Sequence, residues 1–238
     1  MKKRSVILSV CFAILTSAVG VAAEPAPPKK HPDSSKWQNL ISPDLKDAIF
    51  TKGVWTFKDG VLTATKDDCI WTKATYENCV VDLEFKTDKG TNSGVIVYCS
   101  NVKNWIPNSV EVQIYDDFSN HGDAKKSPDA KKKPALTDCG AIYGHLPPAK
   151  NVVKKPGEWN RMTITCKGRM IYVILNGKAI IEMDMSKWTS AKKNPDGTDI
   201  PAWLSTPFAK LPVKGQIGLQ GKHGEAAIYF RNLKIKTL

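Results

Sequence analysis

Alternating apolar and polar residues predict that the middle of the chain is a β-strand with one buried face. In residues 109–117, every second residue from position 110 to position 114 is a branched aliphatic residue, namely Val110, Val112 and Ile114. A period of two is typical of a half-buried strand. The opposite face carries a carboxylate, an amide and a phenol, from Glu111, Gln113 and Tyr115. These groups suit a site that binds and protonates a hydroxyl-rich ligand, although a solvated outer strand has the same period.

Short strand patterns separated by turns follow one another from Trp55 onward. The pairs Asp59-Gly60 and Asn176-Gly177 each supply the backbone conformations that a tight hairpin needs. Helical periodicity is almost absent, and local hairpins without crossover helices favour antiparallel pairing. We therefore predict an all-β fold, an antiparallel two-sheet jelly-roll sandwich. Two long loops, residues 118–138 and 186–211, interrupt the strands, and loops of that length are often functional.

The N-terminal residues have the composition of a segment that directs export. In residues 1–23, three basic residues precede an apolar run that ends near Val21-Ala22-Ala23, a pattern typical of a secretory signal removed after Ala23. The apolar run is short for a membrane anchor, so we predict no membrane span in the mature chain. Residues 24–36 are rich in Pro and Lys and are predicted to be a flexible leader. Residues 37–238 then form a single jelly-roll domain of a periplasmic or secreted protein.

The positive charge of the chain does not by itself indicate a nucleic-acid partner. The formal net charge falls from +12 to +9 when the three basic residues of the signal sequence are removed. Much of the surplus lies in loop runs such as Lys125-Lys126 and Lys131-Lys132-Lys133, which carry no interleaved aromatic residues. We therefore predict solvated basic loops and no nucleic-acid partner, with a polyanionic glycan or cell surface as the alternative.

The number of cysteines limits the disulfides that the mature chain can form. Outside the signal sequence the cysteines are Cys69, Cys79, Cys99, Cys139 and Cys166. An odd number leaves at least one thiol without an intramolecular partner, and no CxxC spacing occurs. Three of these residues fall on apolar strand faces, which indicates burial as small hydrophobic side chains. A cross-strand disulfide between Cys69 and Cys79 is a further possibility.

Seven short motifs in a fixed order resemble a known family. They are Asn92-Ser93-Gly94-Val95, residues 111–117, Gly140-Ala141-Ile142-Tyr143-Gly144, Gly157-Glu158-Trp159-Asn160, Leu175-Asn176-Gly177, residues 215–220 with His223-Gly224, and Phe230-Arg231-Asn232. From about Trp37 to Leu238 the chain is similar to the 3-keto-disaccharide hydrolase domain family, long called DUF1080. The resemblance implies a concanavalin A-like lectin or glucanase fold with a concave face. It also implies a carbohydrate substrate, a glycoside oxidised at sugar carbon 3, cleaved by hydrolysis or by elimination.

Two departures from the family pattern leave other functions open. Many members carry an Arg where this chain has Tyr98-Cys99-Ser100, and the spacing of Gln and His in Gln220-Gly221-Lys222-His223 differs from the usual one. A lectin-like module that binds glycans without turnover is therefore the alternative, because a fold alone does not confer activity. Export and charge alone are also compatible with a scaffold protein of the cell envelope.

The chemistry of a 3-keto-glycoside explains why acid–base and hydrogen-bonding side chains would be needed in its binding site. The ketone acidifies the hydrogen on carbon 2, so a base can remove it and the glycosidic oxygen on carbon 1 can leave. Glu111 and His223 are the candidate catalytic proton carriers, because burial and neighbours tune both groups towards neutral pH. Asn92, Gln113 and Gln220 are the candidate binders of sugar hydroxyls.

Further candidates lie in turns and loops. Asp116 is a candidate ligand for a hydroxyl or a cation, although Asp116 and Asn92 equally suit the caps of turns. Tyr143 lies between glycines that allow close approach of a ligand, while the nearby His145 is weaker because a loop histidine is commonly solvated. Either Trp188 or Trp203 suits stacking on a sugar face. A divalent cation held by Asp, Glu and His would suit a keto-sugar, but the sequence shows no metal-binding spacing.

Overall fold

Two antiparallel β-sheets enclose the core of the computed structural model, which describes residues 27–121 and 133–238. The larger sheet comprises β1 (Gln38–Asn39), β3 (Trp55–Lys58), β4 (Val61–Ala64), β6 (Cys79–Thr87), β9 (Trp159–Lys167), β10 (Met170–Leu175), β11 (Lys178–Asp184) and β13 (Ile228–Thr237). The smaller sheet comprises β2 (Ala48–Ile49), β5 (Ile70–Tyr76), β7 (Asn92–Cys99), β8 (Val110–Tyr115) and β12 (Gly215–Leu219). The predicted all-β, two-sheet jelly roll is thereby confirmed.

Some neighbouring strands in the two sheets are joined by hairpins, and others are distant in sequence and joined by longer connections. The larger sheet has the order β11-β10-β9-β6-β13-β4-β3, with β1 also paired to β13, and the smaller sheet has the order β2-β5-β12-β7-β8. Both predicted tight turns occur, because Asp59, Gly60, Asn176 and Gly177 all have positive φ angles between 49° and 76°. One apolar cluster with contributions from both sheets fills the space between them. Burial of a large side chain such as Phe85 or Phe230 stabilises the fold by about 1.5–3 kcal/mol.

Helices are short and lie in the connections. They are α1 (Asp117–His121) and the 3-10 helices Val102–Asn104, Ile106–Asn108, Met185–Lys187 and Phe208–Lys210. Within residues 27–121 and 133–238, none has the length and apolar character needed to span a membrane. The predicted signal sequence, residues 1–23, lies outside the described residues.

A bulge at the end of β7 changes which side chains face the core. Tyr98 has a φ of +57° and its hydroxyl donates to the carbonyl oxygen of Gly168 at 2.7 Å, so its ring lies in the core. The pairing of β12 with β7 shifts at this point, and Gly215 leaves room for the bulge because a Cβ there would overlap the backbone of Cys99. The side chain of Cys99 is therefore turned out of the main core into a smaller cluster with Trp71 and Ile96.

The possible disulfide between Cys69 and Cys79 does not occur in the structure. All five cysteines in the described residues are free and buried. Cys79 lies opposite Cys166 across β6 and β9, whereas Cys69 packs with Cys99 in the smaller cluster on the other sheet. The burial that the apolar pattern predicted for Cys79, Cys99 and Cys166 is observed.

The end of the predicted flexible leader is fixed to the outer face of the larger sheet. Gly177 donates its backbone N–H to His31 Nε2 at 2.9 Å, and His31 Nδ1 donates to Thr163 Oγ1 at 2.7 Å. The Ser34 hydroxyl donates to Asp82 at 2.5 Å, and Arg161 forms a 2.8 Å ion pair with the same carboxylate. Burial, followed by the charge of Arg161, lowers the pKa of His31. His31 and Ser34 thus have partners in the fold, which the Pro- and Lys-rich composition did not predict.

Candidate active site

An open cleft of about 520 Å³ lies on the outward face of the smaller sheet. It brings together six of the side chains that the sequence predicted for the site: Asn92, Glu111, Gln113, Tyr143, Gln220 and His223. The strands explain this convergence, because Glu111 and Gln113 lie on β8, Asn92 begins β7, and Gln220 follows β12. The remaining pair, Tyr143 and His223, lies in loops that border these strands. Tyr143 bonds to the edge of β8 through Glu111 O, and His223 bonds to Asn92 O.

Gly94 makes room for the Glu111 side chain. Gly94 lies on β7 opposite Gln113, and the carboxyl group of Glu111 crosses the sheet directly above it. A Cβ at position 94 would overlap Oε1 of Glu111. Glycine is therefore needed at position 94 because the Glu111 carboxyl group occupies the space where a side chain would lie. The absence of a side chain at Gly94 thus allows the Glu111 carboxyl group to take this position in the cleft.

Glu111 is the group in the cleft with the most altered acidity. Burial, with a smaller effect from the charge of Asp67, raises its pKa from an ordinary 4.5 to about 8. At neutral pH this carboxyl group therefore keeps its proton in most molecules and is able to donate it. The same burial and the charge of Glu111 raise the pKa of the Tyr143 phenol.

Asp67 orients His223, an arrangement that the sequence did not reveal. The Nδ1–H group of His223 donates to Asp67 Oδ2 at 2.5 Å, and Gln220 Nε2 donates to Asp67 Oδ1 at 3.2 Å. The Gln220-to-His223 turn is held tightly against the loop of Asp67, because a Cβ on Gly221 would overlap the carbonyl oxygen of Lys66. With Nδ1 bonded to a carboxylate, Nε2 of His223 is the nitrogen available to accept a proton.

Gln113 and Asn92 form a pair of amides at the base of the cleft. Gln113 Nε2 donates to Asn92 Oδ1 at 3.2 Å. Gln113 is almost fully buried, and its Oε1 atom has no hydrogen-bond partner within residues 27–121 and 133–238. A buried acceptor without a partner costs about 1–3 kcal/mol. Both amide side chains line the cleft.

The structure places Asp116 and His145 in supporting positions that do not line the cleft. Asp116 is buried and accepts from the N–H groups of Gly90 at 2.8 Å and Ser119 at 3.1 Å, as the turn-capping alternative predicted. His145 stacks on Phe208 with ring centroids 3.7 Å apart and donates from Nδ1 to Tyr143 O. Burial lowers its pKa to about 4, so this residue is a neutral packing group rather than a solvated loop histidine.

Of the two tryptophans that the sequence suggested for sugar stacking, only Trp203 lines the cleft. Trp188 is buried and its Nε1 donates to Asn194 Oδ1 at 2.9 Å, whereas Trp203 lines the cleft with 57% of its surface exposed. The cleft also contains residues that sequence reasoning missed, chiefly Asp67, Trp71, Trp105 and Ile106. Of these four residues, only Trp71 could have been expected near the site from the sequence, because it lies in an apolar strand pattern.

The acidic and imidazole groups of the cleft do not form a metal site in the part of the chain that the structure describes. No three His, Cys, Asp or Glu side chains among residues 27–121 and 133–238 are arranged to hold a metal ion. The hydrogen bond between Asp67 and His223 joins one carboxylate to one imidazole, and no third side chain among residues 27–121 and 133–238 completes a set of ligands with them. The divalent cation considered from the sequence therefore has no assigned ligands.

Substitution of Gly94 tests the position of Glu111. We expect Gly94→Ala to displace the carboxyl group and to lower turnover by ~10²-fold, because a misplacement of about 1 Å at a catalytic group has that effect. In a Glu111→Gln background the same change should cost little more, since the two positions act through one interaction. Equal losses in both backgrounds, measured with matched thermal melts, would assign the effect of Gly94→Ala to the strand rather than to Glu111.

The fold and the cleft define a class of protein, a jelly-roll β-sandwich with a cleft on one sheet that carboxyl, amide, phenol and imidazole groups line. Residues 31–236 match the model of the 3-keto-alpha-glucoside-1,2-lyase-like domain, and the chain belongs to this family. The match begins at the histidine that fixes the N-terminal segment to the larger sheet.

Individual relatives agree with this assignment. Over 221 residues the chain is 27% identical to a Bacteroides thetaiotaomicron protein named 3-keto-disaccharide hydrolase, which covers 81% of this chain and 72% of the relative. It is 58% identical to a candidate glycosyl hydrolase of known structure from Parabacteroides distasonis ATCC 8503, with a TM-score of 0.77 and coverage of 85% of this chain and 100% of the other. A second such structure from that organism is 23% identical with a TM-score of 0.62, covers 82% of this chain and 89% of the other, and shares the fold.

Proposed function

We propose that this chain is an exported enzyme that cleaves glycosides whose sugar carries a ketone at carbon 3. The observation that carries the proposal is that one cleft contains a carboxyl group, Glu111, and an imidazole bonded to a carboxylate, His223, while burial raises the pKa of Glu111 to about 8. Family membership and the name of the Bacteroides relative support the keto-sugar as substrate. The basic and apolar pattern of residues 1–23 supports export.

The polar side chains of the cleft suit the keto-sugar ring. The amide groups of Gln113, Asn92 and Gln220 line the cleft and supply polar contacts to the sugar. Because its pKa is raised, Tyr143 remains a phenol and is able to donate to the ketone oxygen. Such a donor stabilises the negative charge that the oxygen gains when carbon 2 loses its proton.

The proposed reaction separates the roles of the two proton carriers. Nε2 of His223 takes the proton from carbon 2, and the electron pair of that C–H bond forms a double bond between carbons 1 and 2. The bond from carbon 1 to the glycosidic oxygen breaks, and Glu111 gives its proton to the departing oxygen. The products are an unsaturated 3-keto-sugar and a free alcohol. Addition of water to carbon 1 then gives the 3-keto-sugar, so elimination followed by hydration has the outcome of hydrolysis.

Deuterium labelling tests both the substrate and the order of steps. A 3-keto-disaccharide and its unoxidised parent are incubated separately with the protein in deuterated water, and the products are followed by mass spectrometry and NMR. We expect only the keto-disaccharide to be cleaved, and the released keto-sugar to carry deuterium at carbon 2. The free keto-sugar, incubated with the Glu111→Gln variant, measures exchange that is unrelated to cleavage.

Other outcomes would contradict parts of the proposal. Cleavage with the original hydrogen retained at carbon 2 would exclude elimination and leave direct hydrolysis. Cleavage of both sugars at similar rates would exclude a role for the ketone. Retention of both sugars on an affinity column without cleavage would identify the chain as a lectin-like module.

A further inference from the structure

The cleft has a polar half and an apolar half, and the register of β7 and β8 defines the border. Asn92 and Gly94 pair with Tyr115 and Gln113 at the polar end, whereas Ile96 pairs with Glu111 further along the strands. Beyond Ile96 the bulge at Tyr98 adds Cys99 to the same apolar surface. The Glu111 carboxyl group reaches back over Gly94, so the proposed proton donor lies where the polar half meets the apolar half.

Two tryptophans form the apolar half. Trp71 lies flat on the sheet above Gly218, where a Cβ would come within 2.5 Å of its ring atoms. Trp105 contacts Trp71 with ring centroids 6.2 Å apart and an angle of 59° between the rings. Gly218 and this tilted ring contact place the two indole rings side by side along the apolar half of the cleft.

The wall that carries Trp105 is fixed by its own hydrogen bonds. Asn101 caps the helix Val102–Asn104 by accepting from Lys103 N, and Ser109 Oγ donates to Trp105 O at 2.8 Å. Ile106, next to Trp105, lines the cleft and remains 40% exposed. An exposed large apolar side chain beside two indoles, on a wall already ordered, is typical of a ligand-binding surface.

The chemistry of this half distinguishes between two kinds of ligand. The side chains of Trp71, Trp105 and Ile106 offer no acceptor atom, and their only donors are indole N–H groups. A second hexose could stack one C–H face on an indole, but any hydroxyl turned towards these three side chains would lose its hydrogen bond to water and meet at most an indole N–H, at a cost of about 1–3 kcal/mol for each unpaired hydroxyl. A flat apolar ring loses no such bonds and gains contact with both indoles.

We propose that the apolar half binds the alcohol part of the substrate, and that this part is an aromatic or similarly flat apolar group rather than a second sugar. The inference rests on the proposed function, because Glu111 at the border then faces the oxygen that joins the two parts. The substrate class is thus a 3-keto-glucoside of an apolar alcohol, with its sugar on the Gln113 side and its ring on the Trp105 side.

Paired substrates and variants test this subsite. Benzyl 3-keto-glucoside is compared with a 3-keto-glucosyl-glucose of the same linkage, because benzyl alcohol is no better a leaving group than a sugar hydroxyl. We expect kcat/KM of the wild-type protein to be at least ~10-fold higher for the benzyl substrate. Trp105→Ala and Ile106→Ser should each lower kcat/KM for the benzyl substrate by ~10-fold more than kcat/KM for the disaccharide. Ile49→Ser is the matched control, since Ile49 is 44% exposed and lies on β2 of the same sheet outside the cleft lining.

The outcomes separate failure of the subsite from failure of the proposed function. A preference for the disaccharide, or equal losses on both substrates in the Trp105 and Ile106 variants, would overturn the subsite while cleavage itself stands. If neither substrate is cleaved, the proposed function fails. The affinities of the unoxidised benzyl glucoside and of the unoxidised disaccharide, measured by calorimetry, then test whether the apolar half binds an apolar ring. Tighter binding of the benzyl compound that Ile106→Ser removes supports the subsite, and equal affinities overturn it.

Discussion

Replacing Glu111 by Gln should lower turnover of a 3-keto-glycoside by ~10²- to 10⁴-fold, the usual contribution of a positioned proton donor. Gln has nearly the same shape and fills the same space above Gly94, but it has no proton to give to the departing oxygen. Substrate binding should survive much better, so the loss should fall on kcat rather than on KM. Near-normal turnover in this variant would remove Glu111 from the reaction.

The pH dependence gives the direction of the proton transfer. Since the pKa of Glu111 is about 8, its donor form is present at neutral pH and lost above pH 8. We therefore expect kcat/KM of the wild-type protein to fall as the pH rises through about 8, and the residual activity of Glu111→Gln to lack this decline. Activity that instead rises through pH 8 would identify Glu111 as the base.

Stability provides the control for folding. Between pH 4.5 and about 8, Glu111 keeps a proton in the folded chain that the unfolded chain has released. The free energy of unfolding of the wild-type protein therefore decreases with rising pH across this window, because a proton bound only in the folded state is linked to folding. Glu111→Gln lacks this penalty and should melt above the wild type at pH 9. The difference is limited to a few kcal/mol, because one pKa unit corresponds to about 1.4 kcal/mol.

Replacing His223 by Ala should lower turnover by a similar ~10²- to 10⁴-fold, because the proton on carbon 2 then has no positioned base. The His223 side chain is 58% exposed, so its removal should barely change the melting temperature. Its exposure also leaves room for added imidazole to enter the cleft and restore part of the turnover. Full activity of His223→Ala, or a loss that accompanies unfolding, would contradict the role of a base.

Asp67→Asn distinguishes orientation of His223 from direct catalysis. Loss of the Asp67 carboxylate should misplace the imidazole and lower turnover by ~10²-fold. It also removes a negative charge that raises the pKa of Glu111, so the alkaline decline of kcat/KM should move to lower pH. A loss of activity with an unchanged pH profile would limit Asp67 to an effect on His223 alone.

Alternation within single strands made the fold and the centre of the site predictable. Residues 109–117 placed Val112 in the core and Glu111 outside it because a period of two depends only on local backbone geometry. The same pattern gave no information on Asp67, which is 156 residues away from His223 in the chain. Their contact exists only because the loops before β5 and after β12 meet beside paired strands.

Where the structure departs from the expectations drawn from the sequence, the cause is a tertiary contact. His145 follows a glycine in a loop, which is typical of a solvated residue, yet stacking on Phe208 buries it. Tyr98 lies in a strand pattern that alternates regularly, yet its positive φ angle reverses the alternation that this pattern predicts. No local rule predicts a bulge that depends on a glycine in another strand, here Gly215.

The place of β13 in the larger sheet determines when the fold can be completed during synthesis. β13 follows every other strand in sequence, yet it pairs with β1, β4 and β6 at the centre of the sheet. As the chain leaves the ribosome, β4 and β6 therefore lack the neighbour that joins them until residues 228–237 have emerged. The larger sheet therefore completes its pairing late in synthesis, whereas the smaller sheet, which carries the cleft, does not contain β13.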